Sequence, residues 1–170
     1  MVRQMKTKLE AIANVTVIVV ALALGYVVLT RYAASDPVPR SITVGDRLPK
    51  VAGIDWNQHR RTLVLALNTG CHYCEESVPF YRKLAQQQRT DGDDLEMIAV
   101  FPNQAETVRR FTAQEDLPIR SVAGVPLDEL GVVATPTLIL VNRDGRVERS
   151  WVGILTTRQE LDLLKVASGS

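Results

Sequence analysis

Residues 67–84 read LNTGCHYCEESVPFYRKL, and Cys71 and Cys74 within them are the only two cysteines of the 170-residue chain. Just before them lies Thr62 to Leu67, TLVLAL, a short unbroken apolar run of the kind that forms a strand buried on both faces. After the second cysteine, Cys74, Val78, Tyr81 and Ala85 recur at helical spacing, with Leu84 beside them. This predicts a helix from about His72 to Gln88 with one apolar stripe and a kink at Pro79. The cysteines therefore sit where a buried strand passes into a helix. Backbone N–H groups and the positive end of the helix dipole stabilise a thiolate there, so Cys71 is the expected attacking sulfur. Cys74 lies one helical turn on, within reach of a mixed disulfide on Cys71, and is the expected resolving thiol.

Working outward, Thr90 to Asp94 reads as a polar turn and Leu95 to Phe101, LEMIAVF, as a second buried strand. A second helix is expected from Asn103 or Gln104, with Ala105, Val108 and Phe111 on its buried side and Leu117-Pro118 closing it. A short connection containing Val122 and Val125 leads to the strand Thr137 to Val141, directly after Pro136. Asn142 to Gly145 reads as a hairpin turn, because Asp-Gly suits positive backbone dihedrals, and Arg146 to Val152 is its partner strand. Thr157 to Val166, with Leu161, Leu163 and Leu164, is the expected closing helix. Two strand and helix alternations followed by a hairpin and a helix imply an α/β domain with a central mixed sheet. Upstream, Asp46 to Pro49 and Asp55 to Gln58 punctuate short apolar pieces that suit an irregular lead-in or a small hairpin.

Residues 11–30, AIANVTVIVVALALGYVVLT, are uncharged and mostly apolar, and Glu10 and Arg31 bound them. About 20 such residues cover a hydrocarbon core as a helix, so this segment is expected to be a membrane anchor. A cleaved secretory signal is the rival, but its apolar run is usually about 7 to 15 residues, and Tyr32, Ala33 and Ala34 fit its cleavage pattern poorly. Arg3, Lys6 and Lys8 precede the span, while Arg31 and Arg40 follow it. That bias places a short tail, residues 1–10, in the cytoplasm and the rest outside, in a periplasm or its equivalent, where a disulfide can persist. Residues 31–41, with two prolines among small and polar residues, read as a linker, which leaves 42–170 as the folded domain.

Charge narrows the function classes. The 20 Lys plus Arg nearly cancel the 19 Asp plus Glu, leaving no basic field to attract nucleic acid. A structural zinc site needs about four ligands, and beyond the two cysteines the chain offers only His59 and His72. A purely structural disulfide would close too small a loop to stabilise much. Redox exchange by Cys71 and Cys74 is the reading that remains, with no metal or organic cofactor.

The stretch from Leu67 to Leu84 resembles the active-site strand, motif and kinked helix of the thioredoxin superfamily. Pro79 matches the proline of that helix, and Ala134-Thr135-Pro136-Thr137 resembles the cis-proline segment that faces the active site. Val44 to Pro49, and Leu130-Gly131-Val132 through Asp144 to Val147 as far as Gly153, are similar to the membrane-anchored TlpA/ResA group. The resemblance implies a thioredoxin-like three-layer sandwich. It also implies a protein thiol-disulfide oxidoreductase acting on thiols or disulfides of protein substrates, supplied by an upstream redox partner. Reduction, as in cytochrome c maturation, is the direction it favours. Three departures stand out: Gly70 where thioredoxins carry tryptophan, Leu65 where they carry a buried aspartate, and Ser77 where the TlpA/ResA group often carries glutamate.

The resemblance also implies a cis bond before Pro136 beside the cysteines, with the Thr135 backbone available to an extended substrate, although Pro136 can also simply begin a strand. A protonated His72 would favour the Cys71 thiolate and make the disulfide more oxidising; the alternative is plain exposure at a helix start. Tyr73 belongs either to the substrate surface or to a ring shielding the sulfurs. His59 reads as a solvated loop residue, and Trp56 and Trp151 as packing residues. A peroxiredoxin-like peroxidase is suggested by Thr69 near Cys71, but the family's threonine and proline spacing does not fit. A tethered, non-enzymatic redox-responsive or metal-binding module is the third class.

Overall fold

The computed structural model describes residues 16–27, 41–91 and 94–167. The chain divides near Val38 and Pro39 into two units. In the first, residues 16–27 form helix α1, and its large apolar side chains, among them Val17, Leu22 and Leu24, are exposed. The rest of the expected anchor, the tail 1–10 and nearly all of the expected linker lie outside the described residues. Among the described residues no helix is long and apolar enough to cross a membrane.

The second unit is built on strands β1 (Arg61–Ala66), β2 (Leu95–Val100), β3 (Arg120–Val122), β4 (Thr137–Asn142) and β5 (Val147–Val152). They form one mixed sheet in the order β3-β2-β1-β4-β5. The β3–β2–β1 half is parallel, whereas β4 runs antiparallel to both β1 and β5. β1 takes the central place because its residues from Thr62 to Ala66 are all buried, four of these five being apolar. The helices are α2 (His72–Asp91), α3 (Ala105–Gln114) and α4 (Thr157–Ala167). α2 continues through Pro79, which can lack its N–H bond there because Cys74, Val78, Tyr81 and Leu84 bury the helix's apolar stripe.

Alternation along the strands separates two cores. Leu63, Leu65, Leu67, Leu138 and Leu140 face one side and pack with Val78, Tyr81 and Leu84 of α2, Val108 and Phe111 of α3, and Leu163 of α4. Val64, Ala66, Ile98, Ile139 and Val141 face the other, where Ile42, Leu48, Ile54, Trp56, Val125 and Leu130 cover them. This second cluster draws no residue from a helix. The expected three-layer sandwich is therefore corrected in one layer: irregular chain from the lead-in and from the connection before β4 takes the place of helices. The two stretches that carried the TlpA/ResA resemblance meet here. Ile42 N–H donates to the Gly131 carbonyl at 3.0 Å, Gly45 to Val147 at 2.8 Å and Leu48 to Gly145 at 2.8 Å.

The structure revises several local expectations. The connection holding Val122 contains the short parallel strand β3, and α3 ends at Gln114, before Leu117-Pro118. The lead-in is irregular, with a single bridge from Arg47 to Arg146 in place of a hairpin. The turn after β4 forms as expected, with Asn142 Oδ1 accepting from the Asp144 and Arg146 N–H groups at 3.0 Å each. Trp56 packs as expected, its Nε1 donating to the Pro49 carbonyl at 3.3 Å. Gly145 sits in the turn at φ +72°, and a β-carbon there would lie 3.0 Å from Trp56 Cδ1. Gly145→Ala therefore meets both an unfavourable backbone region and a packed indole. It is expected to cost about 1–2 kcal/mol, read from the urea midpoint of the domain.

Candidate active site

The chain leaves β1 through a loop held on three sides. Leu67 N–H donates to the Val100 carbonyl at 3.0 Å, Asn68 Oδ1 accepts from Gly70 N–H at 3.1 Å, and Asn103 Oδ1 accepts from Thr69 N–H at 3.2 Å. Cys71 N–H closes the loop on the Asn68 carbonyl at 3.1 Å. Cys71 is then the N-cap of α2. Its carbonyl accepts the Glu75 N–H at 3.2 Å, and its sulfur accepts the Cys74 N–H at 3.3 Å, as a capping serine or aspartate oxygen would. The sulfur thus lies against amides of the first helical turn, which favour negative charge.

The two thiols, both free in this structure, occupy opposite environments. Cys71 is partly exposed, whereas Cys74 is fully buried in the cluster on the helical side of the sheet. Burial pushes the Cys71 thiol up, but hydrogen bonds with Cys74 and Thr135 and from the Cys74 and Tyr73 backbone outweigh it, so it rests below its ordinary value. The Cys74 thiol is pushed up to about 12, first by burial and then by its interaction with the Cys71 sulfur. Across from them the Thr135-Pro136 bond is cis. The Cys71 thiol donates to the Thr135 carbonyl at 3.3 Å, so Thr135 and Pro136 do lie beside the Cys71 sulfur.

His72 and Tyr73 occupy the first turn. The His72 ring points at Glu76, with Nε2 3.2 Å from Oε1, and its side chain is 75% exposed. Tyr73 is also exposed, and its ring stands tilted against His72 with centroids 5.9 Å apart. His59 lies in a loop and is partly exposed, as expected, and it also holds Asp94 with Nδ1 2.8 Å from Oδ1, at the end of the sheet away from the cysteines. The Asp94 carboxyl is held below the usual carboxylate range by that contact first, and by the Arg60 amide and Arg143. Trp151 is partly buried against the helical-side core, as its packing role requires.

Asn68 and Asn103 went unrecognised as site residues. Asn103 stood out only as a possible helix start, and its tie to Thr69 spans 34 residues, which no local pattern reveals. Ser77 is buried with its hydroxyl donating to the Tyr73 carbonyl at 2.8 Å, so the helix position that departs from the family pattern is used internally.

A sheet of this order, a dithiol at the start of α2 and a cis-proline opposite it define a thioredoxin-like fold. The redoxin family model matches residues 33–165, and the chain belongs to that family. It is 31% identical over 102 residues to the thiol-disulfide oxidoreductase ResA of Halalkalibacterium halodurans, a match spanning 58% of this chain and 57% of that protein. A Chlorobium tepidum chain provisionally named thiol:disulfide interchange protein DsbE shares the fold with a TM-score of 0.59 at 21% identity, covering 76% of this chain and 100% of that one. StoA from Bacillus subtilis does so with a TM-score of 0.54 at 19% identity, covering 64% and 83%.

The unequal thiols give a pH signature. Cys74 holds its proton more tightly folded than unfolded, so its contribution to stability is complete below the unfolded value and is lost as pH rises towards the folded one. The reduced domain should therefore lose stability between about pH 9 and pH 12, a window above that in which Cys71 titrates. Urea midpoints across that range should fall for the wild type and fall less for Cys74→Ala. At neutral pH, limiting iodoacetamide should label Cys71 alone, as mass spectrometry of the peptides would report.

Proposed function

We propose that this protein is a thiol-disulfide oxidoreductase that exchanges its Cys71-Cys74 dithiol with disulfides of protein substrates outside the cytoplasm. The observation that carries the reading is the pairing of an exposed N-cap sulfur, held below its ordinary pKa, with a buried sulfur one turn inside the same helix. The Cys71 thiolate attacks a substrate disulfide and expels one substrate thiolate. Cys74 then attacks Cys71, releases the second substrate sulfur and leaves the Cys71-Cys74 disulfide. Electrons move from the dithiol to the substrate, and an upstream redox partner restores the dithiol by the reverse exchange.

The surroundings of Cys71 suit an extended polypeptide. Thr135 and Pro136 face the sulfur, and Tyr73, Val133 and Ile154 present exposed apolar surface on the segments that meet there, Gly153 N–H being bonded to the Pro136 carbonyl at 2.7 Å. His72 shares its ring with Glu76 and is mostly in water, so any charge it lends Cys71 is screened. Residues 11–30 are read as the anchor that holds the domain at the outer face of a membrane, as the apolar run and the basic residues before it imply. The similarity to ResA supports the class of reaction.

The reading makes two experiments decisive. Cys74→Ser should hold substrates as mixed disulfides on Cys71, visible as adducts on non-reducing gels of extracytoplasmic extracts, while Cys71→Ser traps almost none; equal trapping by both would overturn the assigned roles. A periplasmic-active reporter fused after Ser170 should be active while the chain stays in the membrane fraction. A soluble, shortened product would instead establish a cleaved signal.

A further inference from the structure

The loop that carries Cys71 opens on one flank into a groove that the exchange steps leave unused. The groove has a volume of about 280 Å³ and lies between the start of α2 and α3, with Thr69 and Glu75 on one bank and Thr107, Arg110, Phe111 and Glu115 on the other. Thr69 is two residues before Cys71, and its N–H bond to Asn103 Oδ1 fixes that end of the groove. Glu75 stands four residues after Cys71, its N–H donating to the Cys71 carbonyl at 3.2 Å. Residues so spaced share a helix face, with β-carbons about 5–6 Å apart, so the exposed Glu75 carboxylate and the Cys71 sulfur belong to one side of α2.

The charges around the groove are unequally paired. Arg110 reaches Glu106, with Nε 4.0 Å from Oε1, and Arg109 holds the same carboxylate. Glu76 is turned about 100° further around the helix than Glu75 and faces His72, with Oε1 3.2 Å from Nε2. Glu75 forms no ion pair with any described residue. Beside it Phe111, 7% exposed, gives the groove an apolar surface. A lysine or arginine side chain suits such a place, because its methylenes lie along apolar surface while its charged head meets a carboxylate.

We infer that Glu75 receives a basic side chain of the substrate, so that the domain selects disulfides whose cysteine is flanked by lysine or arginine. The inference rests on the dithiol-exchange reading and names the substrate class for it. An extended segment advances about 3.3 Å per residue, so with a substrate sulfur at Cys71 the basic residue stands within about three positions of the substrate cysteine. Glu75 is a positioning residue: it holds the flanking side chain while the substrate disulfide is reduced to two thiols and the Cys71-Cys74 disulfide forms.

The reduced full-length protein, in an uncharged detergent, would be mixed with the disulfide-linked dimer of capped Lys-Cys-Lys or of capped Glu-Cys-Glu, and its oxidation followed by acid quenching and mass spectrometry. Dividing each rate by that of mercaptoethanol with the same dimer removes the peptide's own reactivity. At low ionic strength, where screening is weak, the wild type should favour the lysine dimer about tenfold. Glu75→Gln should cut that preference about threefold, whereas Glu76→Gln, which removes the same charge from the next residue, should leave it near the wild-type value. Equal losses from the two variants would overturn the role of Glu75 by showing a diffuse field, and a wild type without preference would overturn it too; either result leaves dithiol exchange standing. A wild type that reduces neither dimer would overturn the dithiol reading itself, and this inference with it.

Discussion

The Cys74 amide donates to the Cys71 sulfur at 3.3 Å, and the chemistry of this domain depends on that sulfur remaining at the helix N-cap. An N-cap atom is well placed only if the chain reaches the helix from a fixed direction. Here that direction comes from β1, held by parallel β2 on one side and antiparallel β4 on the other. Asn103, from the loop after β2, then ties down Thr69 in the approach. The same register brings the Thr135 carbonyl, from the loop before β4, to 3.3 Å from Cys71. Three loops at one end of the sheet thus define a single sulfur position, and none could do so if the central strand slipped.

The elements around this site were legible in the sequence because their signals are local. A run such as TLVLAL needs no partner to be read as buried, and Asp144-Gly145 marks its turn through backbone dihedrals alone. The cysteine pair was equally plain, since strand, motif and helix are contiguous. What escaped was set by contacts distant in sequence. β3 is three residues long with an exposed arginine at its head, and only pairing with Ile98 to Val100 makes it a strand. His59 reads as solvated until Asp94, 35 residues later, is brought to it by the β1–β2 register. The helix-free second face had no local signal either, because turns in 42–56 and 125–132 bury apolar residues without any period.

The same asymmetry decides which sulfur meets the substrate. Whether the domain reduces or oxidises a substrate, the mixed disulfide forms on Cys71, because Cys74 has no accessible surface. The two directions differ in what must leave. In reduction the leaving group at the resolving step is a substrate thiolate of ordinary basicity. In oxidation a substrate thiolate must expel Cys74, whose thiol is pushed up to about 12, and a basic thiolate in an apolar cluster leaves slowly. The two steps are the reverse of one another, and a buried, proton-holding Cys74 slows its attack as it slows its departure. The speed of either passage therefore depends on what stabilises charge on the buried Cys74 sulfur.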